Sequence, residues 1–184
     1  GDAPKPADLE PLTGGRRASM VFTDPPYGVS YVARSGDFDM IQGDDLRRGQ
    51  LADLLRKAFA AALPHTADDA GWYVWHASAT RDDYAAALRD TGLTELGYLI
   101  WATPATVLGW ADYRWAHEPC FYAARQGTRP AWYGGRDQGT VWRISAGSGH
   151  QGRRTTVGQG VTLTTKEGEI HVAATTPKGR KIRN

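Results

Sequence analysis

Residues 23–27 read Thr-Asp-Pro-Pro-Tyr and follow the apolar run Met-Val-Phe at 20–22. Two consecutive prolines can neither continue a sheet ladder nor open an ordinary helix, because neither has an N–H to donate. Directly after a strand they make a stiff corner. Pro25 biases Asp24 to an extended backbone, and Pro26 does the same to Pro25. The Asp24 carboxylate and the Pro25 carbonyl are thereby two hydrogen-bond acceptors held at a fixed separation, and Tyr27 adds a flat ring beside them. Such a set suits a planar heterocycle carrying an exocyclic amine. That amine is a poor nucleophile, since its lone pair is delocalised into the ring. Accepting both of its hydrogens in a bent arrangement favours the tetrahedral nitrogen that forms as it attacks an electrophile. A base inside a duplex is out of reach of such a corner unless it is flipped out and stacked on an aromatic ring. A rigid turn without chemistry is the alternative that these residues leave open.

The elements around the corner follow from periodicity. The run 18–23 predicts a short buried strand, and the polar stretch 28–42 a loop. Asp44 and Asp45 are placed to cap a helix whose apolar face is Leu51, Leu54, Leu55, Ala58, Phe59 and Ala62, and Pro64 ends it. A second strand is expected at 71–78, followed by a helix opened by Thr80 and Asp83 and stopped by Gly92. Third and fourth strands are expected at 97–103 and 119–125. This alternation predicts an α/β sheet with helices on its faces. Beyond Gln126 the helical period disappears. The runs 140–144, 160–165 and 169–176 are β-branched, and Lys-Glu-Gly-Glu at 166–169 reads as a hairpin turn. The aromatic-rich stretches 72–77 and 110–115 read as core.

Bulk properties bound the chemistry. With 41% hydrophobic and 10% aromatic residues among 184, the chain can form a real core. No apolar run is long enough for a membrane span, and the first residues lack the pattern of a signal peptide. One cysteine, Cys120, excludes an intramolecular disulfide and a multi-cysteine zinc site, and no metal centre is expected. A cytoplasmic protein is the natural reading. Charge is distributed unevenly: residues 1–125 hold 12 Lys+Arg against 17 Asp+Glu, whereas residues 126–184 hold 10 against 3. A basic end on an acidic body points to a polyanionic partner.

The residues at 19–31, SMVFTDPPYGVSY, resemble the catalytic motif of the S-adenosylmethionine-dependent DNA amino-methyltransferases, which methylate adenine N6 or cytosine N4. Gly-Asp-Ala at 1–3, LIWATPATVLGWADYRWAHEPCFYAAR at 99–125 and WYGGRDQGTVWRI at 132–144 resemble the subgroup in which this motif precedes the cofactor motif. The likeness covers about residues 1–144. It implies that Asp24 and the Pro25 carbonyl accept the target amine's hydrogens, that Pro26 completes the motif, and that Tyr27 stacks on the flipped base. Asp at the first position favours adenine N6. Asp44 and Asp45 fall where the family often borders the cofactor, with a helix cap as an equal alternative. His117 and Glu118 match a block whose role looks structural or substrate-proximal.

One departure matters. The family's glycine-rich loop for S-adenosylmethionine is not found in 145–184. Gly147, Gly149 and Gly152 have the spacing of a dinucleotide loop, but the residues after them read as strand, whereas that loop must open a helix. The expectation is therefore a partial methyltransferase-type, Rossmann-like sheet (1–125, the catalytic, base-binding half) followed by a basic β-rich segment (126–184, a candidate DNA-recognition region). Alone, such a chain would bind cofactor poorly and methylate nothing, and its uncovered sheet would favour a homodimer. Double-stranded DNA is the implied partner, with Arg136, Arg143, Arg153, Arg154, Lys178, Arg180 and Lys181 as candidate phosphate contacts. A non-catalytic DNA-binding module that retains the half-fold is the alternative.

Overall fold

The run at 18–23 forms strand β1 (Ala18–Thr23), preceded by a short helix, α1 (Pro6–Thr13). Helix α2 (Gln50–Ala62) and a 3-10 turn (Leu63–His65) lead into β2 (Thr66–Trp75). Helix α3 (Arg81–Asp90) then joins β2 to β3 (Leu93–Val107), which returns as β4 (Trp115–Arg125). Four shorter strands come next: β5 (Val141–Arg143), β6 (Arg153–Thr156), β7 (Val161–Lys166) and β8 (Glu169–Ala174). This is a computed structural model that describes residues 3–28, 49–107 and 112–143, and the strand backbones 153–156, 161–166 and 169–174.

Two sheets result. The larger runs β1-β2-β4-β3-β5, and the smaller runs β6-β7-β8. β1 and β2 are parallel, with Val21 opposite Trp72 and Thr23 opposite Val74. β4 is antiparallel to β2, with Cys120 opposite Trp75 and Ala123 opposite Trp72. β5 is parallel to β3, Ile100 facing Val141. In the smaller sheet all pairs are antiparallel, and Lys166 faces Glu169 across the expected hairpin. The architecture is the expected mixed α/β sheet with helices packed on it, plus a β-rich C-terminal segment. Among the described residues no helix comes after Arg125, and none is long and apolar enough to cross a membrane.

The chain divides into two compact units, Gly1–Leu99 with Glu118–Ala131, and Ile100–His117 with Trp132–Asn184. The first holds one hydrophobic core. Leu51, Leu55 and Phe59 of α2 and Tyr84, Ala87 and Leu88 of α3 pack on Trp72, Val74, Leu93, Phe121 and Ala123 of the sheet. Strand alternation puts Trp72 and Val74 on this face and Tyr73 on the other, where its ring lies 6.1 Å from Phe22 and 5.0 Å from Tyr122. Arg125 ties the unit together. Its guanidinium donates to the carbonyls of Leu63 and Thr66 and lies 3.6 Å from Asp68, fastening the end of α2 and the start of β2 to the end of β4. In the second unit, the Ile100 N–H donates to the Thr140 carbonyl at 2.8 Å, and Trp115 meets His117 edge-on at 5.8 Å.

The structure corrects several local expectations. β2 and β3 start before their apolar runs, because an apolar run marks only the buried stretch of a strand, and Asp68, Asp69, Thr94 and Glu95 are exposed. α2 starts at Gln50 with Gly49 as its N-cap; Asp44 and Asp45 lie outside the described residues. Thr80 does cap α3 in position, but its hydroxyl bonds back to the Ala77 carbonyl and makes no cap bond. Gly92 ends α3 as expected, at φ 77°. In the stretch read as core at 110–115, Tyr113 is 90% and Trp115 44% exposed, since β4 becomes buried only where it pairs with β2. Helix α1 has no buried residue, so it carries no hydrophobic period; its signals are the proline at its start and Gly14 at its C-cap, φ 55°.

Candidate active site

The parallel pairing of β1 and β2 brings their carboxyl ends to one edge, where ligands bind in open α/β sheets. The corner 24–28 leaves β1 there, and His76 leaves β2 beside it. β4 runs the other way, so its early residues Glu118, Pro119 and Cys120 reach the same end. The His76 N–H donates to the Pro119 carbonyl at 3.2 Å. Two stretches far apart in sequence, the Asp-Pro-Pro-Tyr corner and Glu118-Pro119-Cys120, thus come to one sheet end.

Asp24 is exposed, whereas Pro25, Pro26 and Tyr27 are half-buried. The Tyr27 hydroxyl hydrogen-bonds the Asp24 carboxylate. Burial first, and then that carboxylate, push the Tyr27 phenol well above its ordinary range, with Glu118 adding to the effect. The field of Asp24 also reaches Cys120, whose thiol burial pushes far up, so it stays protonated and is no nucleophile. Gly28 turns the chain away at φ 62°, and a Cβ there would stand 2.8 Å from Leu51 Cδ2. The corner is therefore seated directly on α2.

Beneath the corner lies a layer that sequence reasoning missed. Tyr84, buried in the first turn of α3, donates its hydroxyl to the Pro26 carbonyl at 2.9 Å and the Pro25 carbonyl at 3.1 Å. His76, also buried, stacks on Phe121 at 4.5 Å and lies 5.5 Å from the rings of Tyr84 and Tyr98. Its Nδ1 meets the Ala77 carbonyl at 2.9 Å, and its Nε2 has no hydrogen-bond partner among the described residues. Burial holds its pKa below the usual imidazole value, so the ring is neutral. Arg81 lies over the Tyr98 and Phe121 rings, 5.4 Å and 5.2 Å from their centroids. An apolar-looking tyrosine at a helical core position carries no sequence mark of such a role.

The other expected site residues are scattered. Arg136 and Arg143 are exposed. Arg153 and Arg154 are consecutive on β6, opposite Thr165 and Thr164 of β7. Lys178, Arg180, Lys181 and the glycines 147, 149 and 152 lie outside the described residues; the chain immediately after Gly152 is strand β6, not a helix. Among the described residues no group of His, Cys, Asp and Glu could hold a metal ion.

The fold is shared with M1.HpyAVI. Its crystal structure superposes with a TM-score of 0.50 at 12% identity, over 77% of this chain and 63% of the other. M1.HpyAVI in complex with SAM aligns over 78% and 60% of the two chains at 13% identity and a TM-score of 0.49. TTHA0409 of Thermus thermophilus, assigned as a DNA modification methylase, aligns at 17% identity over 78% of this chain and 65% of its own, TM-score 0.47. The chain thus spans under two thirds of the length of these structures. No family model matches the sequence, and no curated protein matches it.

Proposed function

We propose that this chain is the base-binding half of a DNA amino-methyltransferase that acts on the exocyclic amine of a flipped-out base, adenine N6 being favoured by Asp at the first position of the corner. The observation that carries the reading is the corner itself. An exposed carboxylate, a proline carbonyl with no N–H of its own peptide to satisfy, and an aromatic ring sit together at the shared carboxyl end of two parallel strands. Asp24 and Pro25 would accept the two amine hydrogens and Tyr27 would stack on the base. This localises the nitrogen lone pair and stabilises the charge that develops as the nitrogen becomes tetrahedral. The fold shared with M1.HpyAVI supports the same reading.

S-adenosylmethionine would supply an electrophilic methyl group. The described residues do not by themselves make a cradle for it: among them no glycine-rich turn joins a strand end to a helix, so its amino-acid end has no cluster of backbone N–H groups to meet. Arg136, Arg143, Arg153 and Arg154 are proposed as phosphate contacts on double-stranded DNA.

The test is methyl transfer by the full-length protein from labelled S-adenosylmethionine to double-stranded DNA, with the modified base identified after digestion. N6-methyladenine is expected, and Asp24→Ala should slow its formation by about two to three orders of magnitude. Label recovered as N4-methylcytosine would correct the base; label absent at every ratio of protein to DNA would leave a non-catalytic DNA-binding module.

A further inference from the structure

The corner has an unusual weakness: neither proline can donate, so the Asp24–Pro25 and Pro25–Pro26 peptides carry no N–H that could fix their planes. The fixing group comes from α3, 58 residues along the chain from Pro26. Tyr84 has one hydroxyl proton and two proline carbonyls within reach, the Pro26 oxygen at 2.9 Å and the Pro25 oxygen at 3.1 Å. The two share that proton, with the nearer Pro26 holding the larger part. A carbonyl oxygen has two lone pairs, so Pro25 keeps one for an incoming amine. The Tyr84 ring cannot follow a shifting carbonyl, because it is fully buried among core side chains and flanked by His76 at 5.5 Å.

We propose that Tyr84 is a positioning residue for the transfer reaction: its hydroxyl, bridging the Pro25 and Pro26 carbonyls, sets the direction in which Pro25 accepts the target amine's hydrogen. The role rests on the corner being the base-binding site. It places the aim of one acceptor in the core and leaves only Asp24 to adjust at the surface. It also explains why a phenol, with its polar tip, sits where α3 otherwise buries Ala87 and Leu88.

Tyr84→Phe in the full-length protein keeps the ring and removes the bridge. A small misdirection of a reacting group is worth roughly ten- to a hundredfold in rate, so kcat should fall by that much. The dissociation constant for DNA should stay within about twofold, since Tyr84 is fully buried and presents no surface to a ligand. Fluorescence of 2-aminopurine at the target position should show the base still leaving the stack. Wild-type kcat in Tyr84→Phe, or a loss confined to KM, overturns the proposal. If Tyr84→Phe fails to fold, 3-fluorotyrosine at position 84 preserves ring and hydroxyl but donates more strongly. It should draw density from Pro25 and lower kcat, and an unchanged kcat overturns the proposal equally. A wild-type protein that binds DNA but transfers no methyl group overturns the reading of the site, and this role with it.

Discussion

Asp24 and Tyr27 are bonded to each other, and this separates two roles that one substitution would confuse. A carboxylate has about four acceptor sites, so the phenol occupies part of Asp24 and leaves room for an amine. Tyr27→Phe frees the carboxylate but keeps the ring; it should bind DNA with wild-type affinity and retain turnover. Tyr27→Ala removes the stacking surface and should weaken capture of a flipped base by about 1–3 kcal/mol, measured on duplexes with a mismatched target. Asp24→Ala should lower kcat by about two to three orders of magnitude with the melting temperature little changed, because Asp24 is exposed. Equal losses in Tyr27→Phe and Tyr27→Ala would show that the hydroxyl matters, not the ring. His76 yields a prediction about pH. Its folded pKa lies below the 6.5 of a free imidazole, chiefly through burial. As pH falls through that value the unfolded chain binds a proton that the folded chain refuses, so stability is lost on acidification and is unaffected above it. His76→Phe, which suits the stack on Phe121, should flatten the fall in urea midpoint between about pH 7 and pH 5. A slope identical to wild type would place the acid sensitivity in another group.

At the scale of elements, the site depends on α2 and α3 being pressed onto one sheet face. Gly28 is the contact between corner and α2: a side chain there meets Leu51, and the left-handed backbone opposes it as well. Gly28→Ala should cost about 1–2 kcal/mol from the backbone alone. It should also displace Tyr27, so activity should fall further than stability explains. Leu88→Ala opens the core under α3 and should cost about 2–5 kcal/mol by urea unfolding, with a matching loss of the Tyr84 anchor. Arg125→Lys retains the charge but not the planar fork that serves Leu63 and Thr66 together, so it should destabilise nearly as much as Arg125→Ala. If lysine restored full stability, the attraction to Asp68 alone would be holding those segments.

At the scale of the molecule, charge segregates along the chain, with the basic excess after residue 126. Arg153 and Arg154 are consecutive on β6. Each phosphate contact removed should lower the salt slope of DNA binding by about 1, so replacing both arginines should lower affinity and slope together. An unchanged affinity and slope would place the DNA contacts on other residues.

What the sequence determined by itself was local. The stiffness of Asp24-Pro25-Pro26-Tyr27 is covalent, since two proline rings restrict the backbone whatever surrounds them. The apolar periods of 50–62 and 72–75 likewise specify a helix and a buried strand through side-chain spacing alone. Only tertiary structure decided what the corner meets. Parallel pairing of β1 with β2 and antiparallel pairing of β4 bring Glu118 and Cys120 to Asp24 and Tyr27, a consequence of strand order that no local pattern encodes. Tyr84 could not be read beforehand either. In sequence it is one more aromatic residue on the buried face of a helix, and its hydroxyl acquires a purpose only because the fold sets it under two consecutive proline carbonyls.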